Sequence, residues 1–284
     1  MSDLVQWCEI SDRADDLGRV RFQRLNDELR KAGLKSEVTY VPATAANLQE
    51  ALDQARSKYA QIRFSGRTGA AVMPLLERQP SALIALKACD SLVCQDGDWW
   101  PRFFLVEGLN HTIASDAAAL DLGGSALVLG ATPQARAAVA ALSRIGFNKI
   151  MVNDPSDDVG SAFVEELRRA YFGIQFQMVS RNAVTQLPGI CSIAVNTLTA
   201  SEDVNSITEL AYFNFLKPGG FWLDLSIFPL NSGLQGEAFS VGASMISGAR
   251  VLARADCLWA QSAFKVSIDF DSYASSLAAP LTPP

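Results

Sequence analysis

One stretch constrains the fold more than any other. Ser125–Leu129 (S-A-L-V-L) is a short apolar run, followed at once by Gly130 and by a helical pattern from Pro133 to Ile145 that Gly146 ends. Such a run fits a strand buried on both faces, as in a parallel sheet. The alternation then continues. Lys149–Val152 reads as a strand, Gly160–Tyr171 as a helix, Ile174–Val179 and Ile190–Val195 as strands, and Ser206–Phe215 as a helix. Lys217-Pro218-Gly219-Gly220 stops that helix, and Phe221–Ile227 is a further strand. Strands and helices at this spacing require right-handed crossovers, so the segment predicts a Rossmann-like, doubly wound parallel sheet.

The part before it has a different character. Leu4–Ile10, Glu37–Val41 and Ala60–Phe64 read as strands, Val20–Gly33 as a helix, and Ala45–Lys58 as a helix that Thr44 can cap. Ala70–Leu76 suits a helical turn or two; Leu83–Leu86 and Ser91–Cys94 read as short strands, with a hairpin turn at Asp96-Gly97. His111–Leu120 reads as a helix, Ala243–Phe264 as a long apolar helix or helix pair, and the chain after Asp271 as a frayed tail. Residues 1–104 balance 14 Lys+Arg against 14 Asp+Glu, so the whole formal charge of −6 falls on the remainder. The expected organisation is an α/β domain over 1–108, a Rossmann-like domain over 109–242, and 243–284 as a final helix returning to the first domain, plus tail.

Composition narrows the function. With 49% hydrophobic and 19% charged residues the 284-residue chain has ample core material. An acidic balance with no Lys/Arg run argues against nucleic acid as a partner. No apolar stretch approaches the ~20 residues of a membrane span. Five scattered Cys and one His leave no metal-ligand spacing and suggest reduced thiols in a cytoplasmic setting. The Cys89 and Cys94 thiols read as packing, Trp99 and Trp100 as hairpin packing, and His111 as a surface or hinge residue.

The segment around Gly130 has the context of a dinucleotide fingerprint, G-x-G-x-x-G/A. Gly130 fits the first glycine, Ala131 follows it, and Ala135 fits the last small position, with Gln134 before it. Thr132 stands at the middle glycine, where pyrophosphate would approach bare backbone, and Pro133 lacks an N–H. Two readings stay open: a dinucleotide site, or Thr132 capping a helix with Pro at its first position. Asp154 follows the next strand, about where the acidic residue of the fingerprint is expected. There it would accept from the ribose of NAD and repel the 2′-phosphate of NADP. It could equally be a turn residue in Asn153–Asp158.

Several stretches, in order, resemble the shikimate dehydrogenase family over nearly the whole chain. Asn26–Pro42 is similar to the family's first helix and following strand, and Ala126–Leu142 to its glycine turn and helix. Asp224–Leu230 (D-L-S-I-F-P-L) resembles its Asp-x-x-Tyr-x-Pro stretch, and Gly248–Leu252 (G-A-R-V-L) its Gly-x-x-Met-Leu. The resemblance implies an N-terminal substrate domain, a C-terminal NAD(P) domain, and a site in the cleft between them.

The same resemblance shows the catalytic motifs degraded. The family's Val-Thr-Ile-Pro-His-Lys is Ile62–Arg67, which puts Arg67 at the catalytic Lys. A guanidinium does not shuttle protons near neutral pH. The family's Ala-Val-Asn-Thr becomes Ala88–Ser91, where Asp90 and Ser91 replace the Asn and Thr and keep a substrate-type position polar. Its Gly-x-Asn-Thr-Asp-Gly matches Phe103–Gly108, so Glu107 replaces the catalytic Asp, and Leu105 and Val106 replace the Asn and Thr. The Ser-x-Ser has no counterpart near Asp12–Gly18, the late Gln aligns near Ala255, and the NADP-type Asn-Arg-Thr is Asn153-Asp154-Pro155. Phe103–Val106 reads as a buried strand or the wall of an apolar cleft. Arg63, Arg67, Lys87 and Arg102 come from segments expected to border the cleft, where they suit a small anionic metabolite or form a solvated surface. The expectation is a non-catalytic relative that holds a small ligand or nucleotide, or serves as a scaffold for a protein partner, possible homodimerisation included. The alternative is a divergent NAD(P)-dependent oxidoreductase acting on another alicyclic hydroxy or keto acid.

Overall fold

The computed structural model describes residues 4–12, 16–198, 210, 213–225 and 232–279, with side chains except at 16, 17, 232 and 233. The chain divides into two compact units. Unit 1 is Met1–Gly108 with Leu252–Pro284, and unit 2 is Leu109–Val251.

Unit 1 is built on a five-stranded sheet of order β2-β1-β3-β4-β5. The strands are β1 Val5–Ser11, β2 Ser36–Pro42, β3 Gln61–Ser65, β4 Ser91–Gln95 and β5 Asp98–Arg102. β1 pairs in parallel with β2 and β3, whereas β4 and β5 are antiparallel. Its helices are α1 Asp16–Lys31, α2 Leu48–Lys58, α3 Thr68–Ala71 and α4 Ser81–Leu86. To these are added the start of α5 Phe104–Asp116, most of a later helix α10 Gly248–Phe264, and α11 Phe270–Ala278. The apolar centre is aromatic: Trp7 lies 4.9 Å from Trp259 and 5.8 Å, edge-on, from Phe22.

Unit 2 has a six-stranded, all-parallel sheet of order β11-β10-β9-β6-β7-β8. Its strands are β6 Ser125–Leu129, β7 Lys149–Asn153, β8 Gln175–Met178, β9 Cys191–Asn196, β10 Leu216–Asp224 and β11 Ser244–Ile246. The helices are α6 Pro133–Ile145, α7 Asp157–Ala170, α8 Arg181–Val184 and α9 Ser232–Ser240. The order reverses between β6 and β9, the place where open α/β sheets bind ligands. All of β6 but its first residue is buried, as its uninterrupted apolar run requires. The expected two-part α/β fold, with a Rossmann-like sheet and a returning final helix, is the one observed.

Several local expectations are corrected. Leu83–Leu86 is not a strand but the end of α4, a Ser-Ala-Leu-Ile-Ala-Leu run of mostly good helix formers. Lys87 ends it in the left-handed region at φ 51°. Phe103–Val106 is not a strand either, because α5 starts at Phe104, where the Asp90 carboxylate accepts the Leu105 N–H at 2.9 Å. α2 starts at Leu48, and instead of Thr44 capping it, Thr44 donates to Asn47 Oδ1 through its N–H and hydroxyl. Lys217–Gly220 does not precede a strand but lies inside β10, at a register shift between Leu216 and Phe221. Such a bulge accommodates Pro and Gly within a ladder. Ala243–Phe264 is not a helix pair but β11 followed by α10. The described part of the tail is ordered as α11: Asp269 Oδ1 caps it by accepting the Ser272 N–H at 2.8 Å, and Tyr273 and Leu277 are fully enclosed, while residues 280–284 lie outside the described residues. Most of the helix expected over Ser206–Phe215, and Ile227, lie outside the described residues.

Candidate functional site

In unit 1 the chemistry-bearing residues gather at the carboxyl ends of β1 and β3 and at the start of α5. Asp90 joins β3, β5 and the start of α5. Its N–H donates to the Arg102 carbonyl and its carbonyl accepts the Phe64 N–H, both at 2.9 Å. Its carboxylate accepts from the Leu105 N–H and, at 3.0 Å, from the Ser91 hydroxyl. Burial raises the Asp90 carboxyl above its ordinary value, although Arg63 and the backbone donors of Leu105 and Phe104 pull the other way. Asp90 is therefore fastened as a helix-start anchor.

Arg67 is exposed and begins α3, its N–H donating to Asp12 Oδ1 at 2.9 Å. Glu107 is exposed in the first turn of α5, and Arg102 and His111 are also exposed. Leu105 and Val106 are 6% and 2% exposed, so their side chains are packed away from any polar ligand. Glu9, which sequence reasoning passed over, is buried on β1 and accepts a hydrogen bond from the Ser65 hydroxyl. Burial pushes the Cys89 thiol well up, as a packing cysteine requires.

Arg63 is neither a surface charge nor open to a ligand. It is 1% exposed and ion-paired through Nη2 to Asp256 Oδ1 at 3.0 Å. Its guanidinium carbon lies 5.2 Å from the Phe22 ring and 5.0 Å from the Trp259 ring. Asp256, on α10, also takes both Arg21 Nη2 at 2.7 Å and Arg21 Nε at 2.9 Å, and the Tyr273 hydroxyl at 2.8 Å. Burial pushes the Asp256 carboxyl up, but Arg21 and Arg63 together with these hydrogen bonds bring it below the ordinary carboxylate value. The signal for this cluster was present in the sequence. Asp256 falls on the apolar stripe of α10, four residues after Leu252 and three before Trp259. A charge placed there needs a buried partner.

In unit 2 the turn after β6 is tied down by its neighbours. Gly130 has φ +100°, and its N–H donates to the Asn153 carbonyl at 2.7 Å. A Cβ there would meet Thr197 Oγ1 at 2.7 Å and Leu198 at 2.9 Å, so only glycine fits. Asp154 is buried at the end of β7, accepting the Ala131 N–H at 2.8 Å on one oxygen and the Ser156 N–H at 2.9 Å on the other. A carboxylate has about four acceptor positions, so two bonds leave capacity for ribose hydroxyls. Thr132 caps α6, its Oγ1 accepting the Ala135 N–H at 3.1 Å, and it donates to Thr197 Oγ1 at 2.8 Å. Ala135 is fully enclosed, giving the close helix–strand packing that a small residue permits, and Gln134 is half-buried in the first turn. Thr197 was not legible in the sequence, because its role comes only from β9 lying beside β6. The positive-φ glycine turn and the spare acceptor positions of Asp154 are compatible with the ribose of a dinucleotide, whereas the Thr132 cap occupies an amide at the start of α6.

No family model matches the chain. In sequence it is similar to the shikimate dehydrogenase (NADP(+)) of Citrifermentans bemidjiense, 27% identical over 187 residues. That match spans 64% of this chain and 63% of the relative's own length. In structure it is similar to shikimate 5-dehydrogenase from Listeria monocytogenes in complex with shikimate and NAD, with TM-score 0.80 and 16% identity over 97% of this chain and 96% of that one. It is also similar to quinate dehydrogenase from Corynebacterium glutamicum in complex with NAD, with TM-score 0.79 and 17% identity over 97% of this chain and 99% of that one. The resemblance read from the motifs thus holds in sequence and in fold.

Proposed function

We propose that this shikimate dehydrogenase-like chain no longer oxidises shikimate and retains a nucleotide turn that holds NAD in preference to NADP. One observation carries the first half. The positions of the family's proton-shuttling Lys and Asp are Arg67 and Glu107, and the two residues before Glu107 are buried apolar side chains. A polyhydroxylated acid needs several converging polar groups. With Leu105 and Val106 enclosed, substrate hydroxyls would go unpaired at about 1–3 kcal/mol each. Arg63, on β3, is held by Asp256 and two rings. Of the remaining charges, Arg67 and Arg102 suit a small anionic metabolite. The setting we favour is the cytoplasm, where five free thiols persist. The described residues contain no helix long and apolar enough to cross a membrane.

The cofactor reading rests on Gly130 and Asp154. When bound, a nicotinamide dinucleotide supplies a hydride donor or acceptor. This chain's own part is to orient its adenosine half, with Asp154 accepting ribose hydroxyls and opposing a 2′-phosphate. Calorimetric titration with NAD and NADP tests this: NAD is expected to bind more tightly, and tighter NADP binding would show Asp154 to be a turn residue only.

One observation favours a second reading. Glu107 keeps an exposed carboxyl where the family has its proton acceptor, which would suit a divergent oxidoreductase acting on a less polar alicyclic hydroxy acid. NADH formation across a panel of such acids, shikimate and quinate included, separates the two readings.

A further inference from the structure

The amides that open α6 are mostly committed within the chain. A helix N-terminus binds phosphate because its first N–H groups lack intrahelical partners. Between Ala131 and Arg136 the N–H of Ala131 goes to Asp154 Oδ2 at 2.8 Å and that of Ala135 to Thr132 Oγ1 at 3.1 Å. The N–H of Arg136 goes to the Thr132 carbonyl at 3.2 Å, and Pro133 has none. The amides of Thr132 and Gln134 remain. Thr132 is itself fixed by its hydroxyl, which donates to Thr197 Oγ1 at 2.8 Å, and that oxygen's own proton goes to the Leu129 carbonyl at 2.7 Å. A chain of three hydroxyl-mediated bonds therefore joins the end of β6, the end of β9 and the first turn of α6.

We propose that Thr132 is the residue that sets the dinucleotide affinity of this turn. Its hydroxyl occupies the Ala135 amide that a pyrophosphate oxygen would otherwise take, and Thr197 holds the hydroxyl in that orientation. Its β-carbon also stands where the fingerprint leaves bare backbone. NAD must then displace the cap or do without the Ala135 donor, so the chain binds it weakly. The inference rests on the NAD reading above and adds to it the residue that limits binding.

The test is calorimetric titration of NAD into wild type, T132G and T132S. Glycine is well tolerated at a helix cap, so T132G is expected to stay folded. T132G frees the Ala135 amide, and a charge-assisted hydrogen bond of that kind corresponds to about tenfold or more in affinity. T132S keeps the cap and removes only the methyl group, so it is expected to match wild type. Should T132G unfold, T132A removes the same hydroxyl and is expected to gain in the same direction. The inference is overturned if wild type binds measurably and T132G, or T132A in its place, binds no more tightly. It is also overturned if T132S gains as much as T132G, since the methyl group would then be the obstacle. If neither wild type nor T132G binds NAD at millimolar concentration, the NAD reading itself fails, and this inference with it.

Discussion

Asp256→Asn is expected to lower the stability of unit 1 by about 3–5 kcal/mol, the range for breaking a buried ion pair from one side. The reason is the asymmetry of the cluster. Asp256 is fully enclosed and neutralises two cations, Arg21 at 12% exposure and Arg63 at 1%. Asparagine keeps the shape but leaves both guanidinium groups in a poorly solvated interior without their paired carboxylate, and it presents an NH2 where one of them donated. The midpoint of thermal unfolding should fall by about 10 °C or more, given a few degrees per kcal/mol in domains of this size. Glu165→Gln, which breaks the half-exposed Arg168–Glu165 pair, should change stability by less than about 1 kcal/mol. The pH dependence has a definite sign. The folded-state pKa of Asp256 lies below its ordinary 3.8, so the stability it contributes is present above that value and is lost as pH falls through the lower, native one. Asp90, with its folded-state pKa raised, acts in the opposite sense and is favoured in the folded state by acidification. The stability gap between wild type and D256N, measured by urea unfolding, should therefore be full at pH 7 and shrink below about pH 4. An undiminished gap at pH 3, or a loss under about 1 kcal/mol at pH 7, would show that the cluster is not the anchor described.

The double change Arg67→Lys with Glu107→Asp is expected to leave shikimate turnover far below the roughly 1 s⁻¹ of an ordinary enzyme. Both titratable groups of the family would return, yet Leu105 and Val106 would still be packed inward and Arg63 still paired to Asp256. Orientation and hydrogen bonding of the substrate account for much of any rate enhancement, and proton transfer alone contributes only about 10²–10⁴-fold. Recovery to dehydrogenase-like rates, in a steady-state assay with either cofactor, would mean that the polar pocket is intact despite those side chains.

The parallel half was legible because its signal is local. An apolar run such as Ser125–Leu129 can only be buried, and Gly130 and Gly146 bracket the helix after it. Errors arose where a distant partner decides the structure. Phe103–Val106 is apolar and looks extended in isolation, but Asp90 starts a helix there. Leu83–Leu86 is too short for periodicity to separate strand from helix. The Ser- and Pro-rich end looks frayed, yet Tyr273 gives it a buried contact with Asp256. At the site, Gly130 and Asp154 follow a spacing that can be read off directly. Thr197 and the Arg21–Arg63–Asp256 cluster depend on residues that meet only after folding. Even so, an Asp on the apolar stripe of α10 was a readable sign of a buried partner.

If the substrate side has lost shikimate chemistry while the fold remains, the purified protein will not turn shikimate over. The direct measurement is the rate of NADPH or NADH formation by the purified wild-type protein with shikimate and saturating NADP or NAD. No turnover is expected above the assay background at ordinary enzyme concentrations; a rate of about 1 s⁻¹ or more, within the normal enzyme range, would show that the shikimate chemistry is retained.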